Sequence, residues 1–218
     1  MKKVLNEIDF QITEDSINLL NEIISKMEGN TFHNHYHILY DICNSIDDEN
    51  IKYFEIGSFA GGSASLMSSN PKVSHCYSLD IGYPINKEIP IRNVNNFKHN
   101  KCEYEYIEGN STNVEIVNRV NDQITDIDIL FIDGDHSRNA VISDFNNYEK
   151  IVKQNGYIVF DDYMDEIYSP EVFGAVNEIV KNLNPNSFEI IGSLEYDLIK
   201  KTNCPDLKSS NLFILKKI

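Results

Sequence analysis

In the first third of the chain the apolar residues recur at helical spacing. Within "DSINLLNEIISKMEGN", Ile17, Leu20, Ile24 and Met27 stand 3, 4 and 3 positions apart on one helix face, and Gly29-Asn30 supplies a stop. "HYHILYDICNSI", residues 35–46, predicts a second, more buried helix. From residue 52 the pattern changes to short apolar runs, and "KYFEIG", "VSHCYSLD", "CEYEYIEG", "IDILFIDG" and "GYIVFDD" read as strands. Helical stretches separate them, clearest in "AVISDFNNYEKIV", where Val141, Phe145, Tyr148 and Val152 share a face. Continuous apolar strands alternating with helices predict an α/β fold, a parallel sheet covered on both sides. The tail differs: "SFEIIG" and "NLFILKK", joined by a loop containing Cys204-Pro205, predict an antiparallel pair at one edge.

The chain has 218 residues, and 41% apolar content can fill one substantial core. A single domain is expected over 1–218, with an N-terminal helical cap over 1–50 and the sheet core over 51–218. The formal net charge of −15 repels a phosphate backbone, so no nucleic-acid partner is expected. The start, "MKKVLNEIDFQITEDS", has no apolar h-region, and no stretch approaches the ~20 apolar residues of a membrane span. No membrane partner is therefore expected. Cys43, Cys76, Cys102 and Cys204 are far apart and suit neither zinc nor a disulfide framework, which points to reduced thiols and a cytoplasmic location.

Most of the predicted strands end in acid: Glu55, Asp80, Glu108, Asp133, and the adjacent Asp161 and Asp162. Ligands of open parallel sheets bind beyond the carboxyl ends of the strands, so these acids are expected to line one crevice. "YFEIGSFAGGSASLM" reads as strand, glycine turn and helix, in which Gly57 and Gly61 permit a tight turn and close approach of a ligand. Its glycines do not have the G-x-G-x-x-G spacing of dinucleotide-binding proteins. Asp80 ends the second strand 23 positions after Gly57, an offset that suits an acceptor of ribose hydroxyl hydrogen bonds.

These features resemble the class I S-adenosylmethionine-dependent methyltransferases. The acid-x-Gly-x-x-x-Gly turn of that family is matched by Glu55, Gly57 and Gly61, its second-strand acid by Asp80, and its adenine-flanking loop by Gly109-Asn110-Ser111. The resemblance implies a Rossmann-like, doubly wound sheet of about seven strands, mostly parallel with an antiparallel edge strand. It also implies that S-adenosyl-L-methionine lies over the first turn, near Glu55 to Ser58, with Ser63 at the helix start and Asp133 completing the cofactor set.

Asp133, Asp161 and Asp162 close two neighbouring strands, and three carboxylates in one crevice need protons or a cation. Oxygen ligands favour a hard ion such as Mg²⁺, which leaves positions for substrate oxygens and lowers the pKa of a bound hydroxyl. The adjacent aspartates can share an ion only if the chain bends between them, because side chains on a regular strand alternate faces. His136, three residues after Asp133, is placed to take the hydroxyl proton, with Asp133 also near the chemistry. Asp135 is either an acid orienting His136 or a turn residue. The stretch "FIDGDHSRNAVISDFNNYEKIVKQNGYIVFDDY" resembles the metal-dependent O-methyltransferases of the macrocin or sugar type. That likeness implies Asp133, Asp161 and Asp162 as metal ligands and His136 as general base. The catechol and caffeoyl types carry lysine at the base position and often asparagine in the acidic pair, and this chain departs from both.

The expected partner is a small-molecule acceptor, a sugar or glycosylated natural product, and a homo-oligomer is compatible with the sequence. Specificity is expected from residues 83–101, with Lys87, Arg92, Lys98 and Lys101, and from 163–174, with Asp165 and Glu166. His33, His35 and His37 alternate, and on a helix they cannot converge on one ion. Two other classes stand beside the methyltransferase: a nucleotide-cofactor oxidoreductase or epimerase, and a non-catalytic S-adenosylmethionine-binding protein. The first lacks a Tyr-x-x-x-Lys pair, since Val152 stands four positions after Tyr148.

Overall fold

The structure, a computed structural model, describes residues 13–29, 36–196 and 210–218. His33, His35 and the Cys204-Pro205 loop lie outside them. The chain falls into two compact units, Asp9–Gly109 and Asn110–Ile218. The first holds α1 (Glu14–Lys26), α2 (His37–Ser45), β1 (Ile51–Ile56), α3 (Gly62–Ser69), β2 (Val73–Asp80), α4 (Glu88–Phe97) and β3 (Glu103–Glu108). The second holds α5 (Val114–Gln123), β4 (Ile127–Ile132), α6 (Arg138–Tyr148), a 3₁₀ turn (Glu149–Ile151), β5 (Val152–Phe160), α7 (Val172–Asn182), β6 (Phe188–Tyr196) and β7 (Ser210–Lys217). The seven strands follow the order β3-β2-β1-β4-β5-β7-β6, mostly parallel with antiparallel pairing at the β7-β6 end. No helix among the described residues is long and apolar enough to cross a membrane.

In the first unit β2 is parallel to both β1 and β3, with Glu55 opposite Ser78 and Asp80 opposite Glu108. All but one residue of β1 is buried, whereas β3, at the end of the strand order, alternates acids outward in "EYEYIE". Charge on an end strand discourages pairing with another chain. Helices α1 and α2 fall within this unit. They are tied by Asp41 of α2, which accepts from the Thr13 N–H, the Thr13 hydroxyl and the Ser16 hydroxyl at 3.1, 3.0 and 2.8 Å. Thr13 in turn caps α1 by accepting from the Ser16 N–H.

In the second unit every residue of β4 is buried, β5 runs parallel to it, and β7 runs antiparallel to both β5 and β6. The helix expected over 140–152 ends at Tyr148, and Val152 begins β5 instead of closing the helix face. Residues 153–156 bulge from the ladder, since Ile127 pairs with Val152 and Ile129 with Tyr157. Asn155 there adopts φ +67°, and a Cβ on Gly156 would lie 3.0 Å from the carbonyl oxygens of both Ile127 and Asp128. The polar "KQN" hides this early strand start from the hydrophobic pattern.

Gly61 carries the sharpest backbone requirement in the first unit. Its φ is +82°, and a Cβ would meet Pro90 of α4 at 3.0 Å from Cα and 3.3 Å from the carbonyl oxygen. Gly61→Ala combines left-handed strain with a backbone clash and is expected to cost about 2–4 kcal/mol. The denaturation midpoint measures this, and an unchanged midpoint would show that α3 and α4 separate freely.

Candidate active site

In the first unit the turn after β1 places three left-handed residues within five positions: Gly57 (φ +88°), Phe59 (φ +47°) and Gly61. A non-glycine residue there is strained, and Asp80 at the end of β2 compensates. Its Oδ2 accepts from the Ser58 and Phe59 N–H groups at 2.7 and 3.1 Å, and its Oδ1 from the Gly82 N–H at 2.7 Å. The acid expected to hold a ribose thus also holds the turn. The Tyr106 hydroxyl also lies in hydrogen-bonding range of this carboxylate.

Glu55 does not open toward a ligand. It is fully buried, and its carboxylate accepts from the hydroxyls of Ser63, Tyr53 and Ser78 at 2.6, 2.8 and 2.8 Å, with Tyr104 donating onward to Ser78 at 3.2 Å. The Ser63 hydroxyl, also expected at the cofactor, is therefore engaged inside. Burial pushes Glu55 up to about 7 against the opposing pull of these hydroxyls. Glu108 is exposed and pairs with Lys87 at 2.6 Å, and Arg92 pairs with Glu28 at 2.7 Å. Lys98 donates to the Cys102 carbonyl. Three of the cations expected to meet an acceptor are thus occupied within their own unit. Gly109 extends the β3 ladder, its N–H donating to the Asp80 carbonyl at 2.9 Å.

In the second unit, Asn110 folds its own loop by accepting from the Thr112 N–H and hydroxyl, and the Ser111 carbonyl accepts from the Tyr148 hydroxyl at 2.8 Å. Asp144 of α6 is buried beside this loop. Burial pushes it up to about 7, the Ser111 hydroxyl works against that and the Asp135 charge adds to it. Asp135 is exposed and accepts from the Ser137 N–H at 2.9 Å, which makes it a turn residue at the start of α6.

The catalytic expectation centres on the ends of β4 and β5. Asp161, the residue after β5, extends the pairing with β4, its N–H donating to the Ile132 carbonyl at 3.0 Å. Its side chain is buried, with Oδ1 accepting from the Asp162 N–H at 2.8 Å. Asp162 then turns to φ +54°, the bend that two adjacent acids require. That turn brings Asp162, not Asp161, together with Asp133 and His136, whose ligand atoms lie within 4.8 Å of one another. Among the described residues this is the one such group. His136 Nε2 lies 3.3 Å from Asp133 Oδ1, and Nδ1 lies 3.5 Å from Asp162 Oδ2. Ser169, which the sequence does not mark, stands 2.7 Å from Asp162 Oδ2 and 2.8 Å from His136 Nδ1.

Two carboxylates this close repel, so the pair suits a divalent cation, and a neutral imidazole stands beside it with a lone pair of its own. Carboxylate oxygens suit hard ions such as Mg²⁺ or Mn²⁺. His136 is 31% exposed at its side chain, against 12% for Asp133, so the ring alone has ready exchange with solvent.

The model of a family described as a methyltransferase domain matches residues 54–163, half of the chain. An uncharacterised protein of Acanthamoeba polyphaga mimivirus is 40% identical over 176 residues, covering 78% of this chain and 80% of its own. Among solved structures, the MycE methyltransferase of the mycinamycin biosynthetic pathway, in complex with Mg and SAH, matches with TM-score 0.62 and 20% identity. That match covers 94% of this chain and 55% of MycE. An O-methyltransferase from Bacillus cereus in complex with SAH matches with TM-score 0.60 and 13% identity, over 94% and 92%. An rRNA methylase from Streptococcus thermophilus matches with TM-score 0.60 and 13% identity, over 86% and 99%.

The two buried acids make stability fall with rising pH. A folded pKa raised to about 7 contributes stability that is fully present below the unfolded value, 4.5 for Glu55 and 3.8 for Asp144, and is lost as pH rises through 7. For Glu55 the loss amounts to about 3 kcal/mol. Glu55→Gln and Asp144→Asn should each flatten the decline of Tm across that window. A decline identical to wild type in Glu55→Gln would show that Glu55 is already ionised when folded.

Proposed function

This chain belongs to the methyltransferase domain family and is an S-adenosylmethionine-dependent methyltransferase, and from that premise we propose that it methylates a hydroxyl of a small polar acceptor such as a sugar or glycosylated natural product. The observation that carries the O-methyl reading is the Asp133–His136–Asp162 cluster. The nucleotide-cofactor oxidoreductase or epimerase reading falls with the family match. A net charge of −15 argues against an RNA acceptor, although one structural neighbour is an rRNA methylase.

In this reading the cofactor adenosyl group lies over the turn at 57–61, with Asp80 Oδ1 accepting from the ribose and the exposed Phe59 and Ile81 offering apolar cover. Asp133 and Asp162 are the residues that would hold a divalent cation, Mg²⁺ or Mn²⁺, which leaves the lone pair of the neighbouring His136 free to take a proton. Bound there, such an ion supplies Lewis acidity toward an acceptor hydroxyl. The Mg in the MycE complex supports this assignment. Asp161 serves as the brace that fixes the Asp162 backbone.

The acceptor oxygen attacks the methyl carbon of the sulfonium, the C–S electron pair stays with sulfur, and the acceptor proton passes to His136. The product cofactor is S-adenosylhomocysteine. His136 releases the proton to solvent through its exposed edge. The buried free thiols Cys43, Cys76 and Cys102 support a cytoplasmic setting.

Methyl transfer to hydroxylated acceptors, followed with labelled cofactor, tests the reading. Activity is expected to vanish with a chelator and return with Mg²⁺ or Mn²⁺, and His136→Ala should lower kcat by ~10²–10⁴-fold while cofactor affinity holds. Full turnover in excess chelator would remove the cation from the account.

A further inference from the structure

The hydroxyl of Ser169 stands between the two groups most concerned with proton transfer, 33 positions from one and 7 from the other. The residue is 1% exposed. Its carbonyl accepts from the Val172 N–H at 3.2 Å, and the following Pro170 disfavours a helical backbone at Ser169. The start of α7 is joined to that of α6, where the Arg138 N–H donates to Glu171 at 2.8 Å and the Arg138 guanidinium pairs with Glu178. Because His136 precedes α6 and Ser169 precedes α7, this junction fixes the ring against the hydroxyl.

A hydroxyl has one hydrogen, and that single hydrogen decides the state of the ring. As a carboxylate Asp162 only accepts, so the 2.7 Å contact is a hydrogen bond only when Ser169 donates it. The 2.8 Å contact to Nδ1 then requires a hydrogen on Nδ1. In the neutral ring this leaves the lone pair on Nε2, the nitrogen 3.3 Å from Asp133. The opposite tautomer would gain only that longer contact. It would turn the serine hydrogen to Nδ1 and leave two oxygens 2.7 Å apart with no hydrogen between them, at a cost near that of an unmade charged hydrogen bond.

We propose that Ser169 is a positioning residue that locks His136 as the Nδ1–H tautomer and so makes Nε2, beside Asp133, the basic atom of the site. The relay runs from Asp162 through Ser169 to the ring, a third group orienting the base. The catalytic consequence rests on the proposed methyl transfer, whereas the tautomer itself does not.

The test is ¹⁵N NMR of the whole protein, without ligand, at a pH well above the ordinary histidine range, with the His136 signals identified by their loss in His136→Gln. Wild type is expected to show hydrogen on Nδ1 and a lone pair on Nε2, and Ser169→Ala to move the hydrogen to Nε2. Hydrogen on Nε2 in wild type, in a neutral or a charged ring, overturns the proposal, as does a tautomer unchanged in Ser169→Ala. In turnover, Ser169→Ala should lower kcat by ~10–100-fold with the KM for S-adenosylmethionine unchanged, and Ser169→Thr, which keeps the hydroxyl, should recover activity. Loss of the tautomer preference with no loss of kcat would overturn the positioning role. A protein with the expected tautomers but no methyl transfer would count against the proposed function instead.

Discussion

The reach of one carboxylate depends on a single backbone angle. At Asp162 the chain leaves strand geometry for φ +54°, and only this turn lets the second of two adjacent acids join Asp133 and His136. A non-glycine residue in that region is strained by roughly 1–3 kcal/mol, a cost that surrounding contacts must offset. Asp161 does so from one side by accepting from the Asp162 N–H, and Ser169 from the other by holding the Asp162 carboxylate. The strain and its compensation sit where the chemistry is proposed to occur.

The first unit repeats the same economy with a different acid. Left-handed residues at Gly57, Phe59 and Gly61 build a turn that a cofactor can approach, and Asp80 gathers the backbone N–H groups that such a turn leaves pointing outward. Glu55 and its hydroxyl partners fasten β1, β2 and the start of α3 from beneath. Acids that look alike at the ends of strands therefore act at two depths. Asp80 and Asp133 keep acceptor atoms near a surface, Asp162 is buried but joins the cluster with Asp133, and Glu55 and Asp161 lie buried and set the geometry of what lies above.

Much of this was legible in the sequence. The strand over 73–80 stands where hydrophobic pattern placed it, and Gly57 and Gly61 have the positive φ that a tight turn demands. The antiparallel pairing near the chain end follows from two apolar runs without a helix between them. What escaped depends on contacts between distant positions. Whether Asp161 or Asp162 faces Asp133 is decided by one φ value that residue types do not announce. Glu55 matches a cofactor motif yet turns inward, because Tyr53, Ser63 and Ser78 converge on it only once β1, β2 and α3 pack. Ser169 lies in an unpatterned loop, and only the docking of α7 on α6 brings it to His136.

Calorimetric titration of Mn²⁺ and of Mg²⁺ into the protein, in the presence of S-adenosylhomocysteine, tests the Asp133–His136–Asp162 cluster most directly. The account predicts one saturable site in the wild type, lost in Asp162→Asn, whose asparagine tolerates the left-handed backbone and removes only the charge. It predicts retention in Asp161→Asn, whose side-chain oxygen still accepts from the Asp162 N–H. Binding that survives Asp162→Asn and disappears in Asp161→Asn would contradict it.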